Sequence, residues 1–278
     1  MRGAVIAAVL AMIAAPALAQ EAGDDWDYGE DPARKLSIAA VTFENFGVAV
    51  RCMDGSFSVV LSGLPEDSGQ RVLLYSMRGD PEVESLWVSG SASTSAFALW
   101  PRSVANAMSR GGRLSVAARE GEATRRYAVD LPVSSTSIGR VFRACGHELD
   151  LSGPDDSPAE EDFAGLVWAR SPDISYPSQA RHDRGLAAIL CYVRDNGRLR
   201  DCSVESEFPE GSGFGRAATL GAHRTARVEA AGGSDEDIEG RRISFVTRYR
   251  IAGYGLTPPP SRLPISDDAY NPPPPADD

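Results

Sequence analysis

GLAAILCYVRDNGRLRDCSV, residues 185–204, is the stretch whose reading decides the fold. Ala187, Ile189, Cys191 and Val193 alternate with their neighbours at the two-residue period of a strand with one buried face. Asp195-Asn196-Gly197 supplies the turn, because Asn and Gly tolerate the positive φ that hairpin turns demand. Leu199, Cys202 and Val204 resume the buried face on the returning strand. If Leu199 lies opposite Val193, Cys191 faces residue 201, and Cys202 reaches it only through a one-residue bulge. The expectation is a bulge near Arg200-Asp201, with a cross-strand disulfide between Cys191 and Cys202 beside it.

Outward from the hairpin, Tyr176-Pro177 and Ala180 precede Gly185, and Gly213-Phe214-Gly215 opens a helix after Val204. A last strand reads Arg242-Ile243-Ser244-Phe245-Val246-Thr247-Arg248-Tyr249. In that order these pieces resemble the C-terminal domain of TonB, the periplasmic arm that transmits energy to outer-membrane receptors. The resemblance covers residues 164–255. It implies an α-β-β-α-β domain with a three-stranded antiparallel sheet packed by helices on one side. It also implies that the last strand takes up an extended segment of another protein by strand addition. The residues it nominates are Ile243, Phe245, Thr247 and Tyr249, with Tyr176 and Pro177. The chain departs from TonB in having a cleavable leader instead of an anchor and proline-rich arm. It also has no aromatic residue in Ala222–Ala230.

The first nineteen residues read as a secretory signal peptide. Arg2 is followed by an apolar run to Ala15, and Ala17-Leu18-Ala19 forms a small-residue cleavage site before Gln20. The run is short for a membrane span of about 20 residues, so the mature chain is expected in the periplasm with no span. Without Arg2, 27 basic residues face 39 acidic ones, a net charge of −12. That balance argues against nucleic acid and anionic lipid as partners. Four cysteines in an exported chain suggest two disulfides. Pairing Cys191 with Cys202 leaves Cys52 with Cys145. No CxxC occurs, so a thioredoxin-like redox role has no support.

Residues 20–34 are acidic, with Trp26 and Tyr28 among them. They could form an edge strand, a recognition segment or a frayed terminus, the last being the default. Residues 35–150 read as a β-rich, sandwich-like domain. Strand patterns fall at Phe46–Cys52, Ser56–Gly63, Val72–Met77, Glu84–Ser89, Ser95–Trp100, Leu114–Ala118 and Arg126–Leu131. Pro101 opens a helix that Gly111-Gly112 ends, and a second helix runs from Thr136 to Cys145 with Ser134 or Ser135 as cap. This half resembles a group of periplasmic β-rich proteins, including type VI secretion-associated ones, through Cys52, Trp87 and Ala144-Cys145; the likeness implies fold rather than activity. Residues 151–163 form an acidic linker and 256–278 a proline-rich tail.

Chemistry is harder to place. Gly211-Ser212-Gly213-Phe214-Gly215 has neither phosphate-loop spacing, and Glu210 puts a negative charge beside it. His147, His182 and His223 form no zinc spacing, and no GxSxG elbow exists. The acidic clusters lack the order of a calcium loop. Neither cofactor nor metal nor catalytic residue is expected. The reading is an α+β, two-domain periplasmic protein that binds envelope or outer-membrane proteins through an extended segment, with a homodimer possible. An uncut leader would instead allow TonB-type energy coupling. The rival from another class is an envelope enzyme acting on peptide or glycan.

Overall fold

The computed structural model describes residues 26–134, 136–150, 165–178, 180–233, 237–252 and 255–256. The residues read as leader and linker lie outside them, as does the tail beyond Leu256. The first unit begins earlier than composition suggests. Trp26 is buried and its indole N–H donates to Pro132 O at 2.9 Å. This pins β1 (Asp27–Asp31) as an edge strand where charge density pointed to a loose end. Then come β2 (Leu36–Phe43), β3 (Phe46–Met53) and β4 (Ser56–Ser62), a meander with two-residue loops. Asp54 and Gly55 both take positive φ, the geometry such a loop requires. β5 (Asp67–Met77), β6 (Val83–Ser93), β7 (Ala96–Ala98), β8 (Gly112–Glu120) and β9 (Ala123–Leu131) complete one antiparallel sheet. Its order is β1-β2-β3-β4-β7-β6-β5-β8-β9. The sheet curls over its own core: Tyr127 of β9 stacks on Phe46 of β3 with centroids 4.9 Å apart, and its hydroxyl donates to Gly63 O.

Two helices close this unit. Helix α1 (Pro101–Ser109) starts on a proline whose missing N–H costs nothing in the first turn, and buries Val104, Ala105 and Met108. Helix α2 (Thr136–Ala144) buries Ile138, Val141 and Phe142. Ser134 Oγ accepts from Ile138 N–H. Gly146, at φ +73°, ends the helix, with His147 N–H bonded to Phe142 O and Gly146 N–H to Arg143 O. The Cys52–Cys145 disulfide then ties α2 to β3.

The second unit comprises β10 (Leu166–Arg170), β11 (Arg184–Val193), β12 (Leu199–Phe208), α3 (Phe214–Thr225), β13 (Arg227–Ala230), β14 (Arg242–Ala252) and β15 (Gly255–Leu256). One sheet runs β12-β11-β14-β15, and β10 pairs with β13. The hairpin keeps the expected register. Val193 faces Leu199, Tyr192 faces Arg200, and the pairing then shifts before Leu190 meets Ser203. Asp201 takes φ +49° at that bulge, and Cys191 is bonded to Cys202. A second bulge, between Ala188 and Ile189, leaves Glu205 as the extra residue. Ala187, Ile189, Cys191 and Val193 face a core shared with Phe214, Ala218 and Ala222 of α3.

Three features differ from the three-stranded α-β-β-α-β expectation. Among the described residues, no helix lies between β10 and β11. Pro172 and Pro177 remove helix donors there, and the chain makes a turn with Ala180 N–H bonded to Pro177 O. A separate strand pair, β10 with β13, takes part in the core. The hairpin also has two buried faces. Leu186 and Ala188 of β11 and Val246 of β14 pack against Val88, Leu99 and Trp100 of the first unit. This explains why LAAIL is apolar without interruption.

Polar contacts lock that junction. Arg102 of α1 forks onto the Glu205 carboxylate and also donates to Ser203 Oγ at 3.0 Å. Glu205 is buried, with its side chain only 4% exposed. The bulge turns Glu205 towards the first unit, and Ser206 Oγ donates to Leu99 O at 2.7 Å. Phe208 meets Phe97 with centroids 5.6 Å apart.

Candidate functional site

The strand nominated for partner binding is β14, and its main chain has a definite phase. In an antiparallel pair, alternate residues turn their N–H and C=O groups to one neighbour and then away from it. Val193 N–H donates to Arg241 O at 2.9 Å, directly before the ladder begins. Counting from there, Ile243, Phe245, Thr247 and Tyr249 direct their main chains to Cys191, Ile189, Ala187 and Gly185 of β11. Ser244 and Val246 turn theirs the other way. β14 is aligned with β11 over nine positions, from Arg242 to Arg250. On its second side it is paired, among the described residues, only at Ile251 and Ala252, with β15.

The nominated side chains are brought together, but as core. Ile243, Phe245, Thr247 and Tyr249 are each at most 2% exposed. The Tyr249 ring stacks on Phe214 at 4.3 Å and its hydroxyl donates to Phe214 O at 2.8 Å. Burial, then the charge of Glu207, pushes that phenol well above the usual tyrosine range. Tyr176 lies edge-on to both rings and donates to His182 O. Desolvation, then the Asp183 carboxylate, raises its pKa as well. Pro177 is half-buried at the turn. These six residues build the domain, as core side chains or as the turn before β11. The hydroxyls of Ser244 and Thr247 are buried without a hydrogen-bond partner.

Beside β14 a cleft of about 1130 Å³ runs between the units. Gln70, Val88 and Phe97 come from the first unit; Arg184, Leu186, Phe208, Arg248 and Arg250 come from the second. Its polar floor is cross-linked. Arg51 lies over the Phe97 ring at 5.0 Å and pairs with Glu210 at 2.8 Å, and Arg248 Nε donates to Gln70 Oε1 at 3.2 Å.

Other candidates resolve into structure. The glycine-rich entry to α3 does hold an anion, the chain's own: Glu207 accepts from Gly215 N–H at 2.7 Å and from Gly213 N–H at 3.4 Å. Trp87 is fully buried, with its N–H bonded to Ser85, and Trp100 is in the junction. His182 and His223 are exposed. His147 is near the Arg102–Glu205 pair, where burial, then Arg102, lowers its pKa. Among the described residues, no three His, Cys, Asp or Glu side chains converge as metal ligands. All four cysteines are in disulfides, the mark of a chain that matures in an oxidising compartment. Among the described residues no helix is long and apolar enough to cross a membrane.

Sequence reading found the strand but missed the junction and the cleft. Arg102, Glu205 and Arg184 carry no local signal, because their roles depend on residues more than sixty positions away. Comparison with protein-family models, curated proteins and solved structures found no match to this chain.

Proposed function

We propose that this protein is a periplasmic binding module that takes up an extended segment of an envelope or outer-membrane protein along the outer flank of β14. The observation that carries the reading is the asymmetry of β14: among the described residues, nine aligned positions on one side and two on the other. The flank also lacks the usual defences of an edge. Ile243-Ser244-Phe245-Val246-Thr247 holds no charge, proline or bulge. Beyond β15 the sequence is Thr257-Pro258-Pro259-Pro260, and three prolines have no N–H to donate to a ladder. Strand addition here would be a main-chain event, with affinity from hydrogen bonds to Ser244 and Val246. The resemblance of residues 164–255 to the TonB C-terminal domain points to the same use of the last strand.

The test uses a panel of extended peptides from envelope proteins and the purified chain. A peptide that joins the flank slows amide exchange at Ser244 and Val246 and leaves Phe245 and Thr247, already bonded to β11, unchanged. Ser244→Pro removes an outward donor and is expected to weaken such a peptide about tenfold or more, the loss of about one well-made hydrogen bond and its neighbour. Peptide binding that leaves the Ser244 and Val246 amides unaltered would refute the proposal.

A further inference from the structure

The cleft beside β14 carries an unsatisfied charge arrangement. Arg184 of β11 lies directly opposite Arg250 of β14, and Leu186 lies opposite Arg248. Like charges facing each other across a ladder destabilise it unless an anion sits between them. Among the described residues, neither Arg184 nor Arg250 has an ion-pair or hydrogen-bond partner. They project from the same sheet face as Leu186 and Val246, the face that meets the first unit. Of the two carboxylates on the cleft wall, Glu210 is taken by Arg51, and Asp183 makes no ion pair with Arg184 or Arg250 among the described residues. His182 also lines the wall and adds no negative charge. Four arginines therefore face two carboxylates, one of them already paired, in a chain whose net charge is −11.

We infer that Arg184 and Arg250 form a receptor for carboxylates, and that the extended polypeptide joining β14 is acidic where it passes the mouth of the cleft. The choice of polypeptide as occupant rests on the proposed use of β14; the anion site itself stands on the paired arginines and the cleft. Strand alternation supports this register. An incoming strand bonded at Ser244 and Val246 runs on towards Arg250, and every second side chain falls on the cleft face. Guanidinium groups bind carboxylates in a two-pronged, geometrically selective way, so the site would select sequence as well as charge.

Titration of the full chain with decaglutamate, and separately with inorganic phosphate, tests this. Decaglutamate should bind saturably at low ionic strength despite the like net charge of the protein, and more weakly as salt rises. The double variant Arg184→Gln/Arg250→Gln should weaken it about tenfold or more. The charge-matched control Arg119→Gln/Arg216→Gln, at exposed positions elsewhere, should leave it unchanged. Equal affinity in both double variants, or no binding of decaglutamate at all, would overturn the site. Binding of phosphate without the peptide would overturn the polypeptide as occupant. Ser244→Pro separates the two readings: decaglutamate binding that survives it but fails in Arg184→Gln/Arg250→Gln would keep the anion site and retire the strand.

Discussion

The two sheets treat their margins differently. In the nine-stranded sheet both edges are defended. β1 is pinned by Trp26 and covered by α2, whose Arg140 lies 3.6 Å over the Tyr28 ring. β9 exposes Thr124, Arg125 and Arg126, charge that discourages pairing with another chain. The four-stranded sheet defends one edge. β12 is held against α1 through Arg102, Ser203 and Glu205, whereas β14 has an uncharged central stretch and a second side paired at two positions. Three margins are pinned, charged or held by side chains; the fourth is buried at Ser244 and Val246 yet, among the described residues, unpaired along its centre, which is why function is assigned there.

The largest expected effects break the frame around this contrast. Cys52→Ala/Cys145→Ala opens a loop of 93 residues, for which chain entropy gives about 4.6 kcal/mol of lost stability. Cys191→Ala/Cys202→Ala opens one of 11 and should cost about 2.8 kcal/mol. Denaturant unfolding of the two double variants checks the order; a larger loss from the shorter loop would contradict it. Next comes the defended edge. Arg102→Ala strands the buried Glu205 carboxylate and should cost about 3 kcal/mol, much of it recovered when Glu205→Gln is added. A double variant no more stable than Arg102→Ala would show that the pair does not hold β12 in place.

The smallest effect is a pH dependence at the same junction. His147 has its pKa lowered by burial, then by Arg102, with Glu205 opposing. The unfolded chain therefore takes up this proton at higher pH than the fold. The associated stability is fully present above about pH 6.5, the ordinary imidazole value, and is lost as pH falls through the lowered pKa. His147→Gln should flatten the stability profile in that window while leaving the value at pH 8 nearly unchanged. An unaltered slope would place the titration elsewhere.

How much of this was legible in the sequence follows the range of the interactions. The hairpin was readable in detail, because its turn, register, bulge and disulfide are fixed by residues within twenty positions of one another. The three helices were readable through Pro101, Gly111-Gly112, Ser134 and Gly213 at their ends. β1 was hidden, since its anchor, Trp26 on Pro132, spans 106 positions. The second bulge was hidden too, because Glu205 looks like an exposed strand residue until Arg102 is placed against it. For the candidate site the strand itself was legible, and the burial of its nominated side chains was not. Ile243, Phe245, Thr247 and Tyr249 form an alternating apolar set that periodicity marks equally well as core or as reading face. Only the phase set by Val193 and Arg241 shows which main-chain groups turn outward.

Amide hydrogen exchange along β14 in the free protein tests the central claim most directly. The account predicts an alternation, with Phe245, Thr247 and Tyr249 strongly protected by β11 and Ser244 and Val246 exchanging faster by orders of magnitude. Uniform protection from Ile243 to Tyr249 would mean that the flank is already paired, and would contradict it.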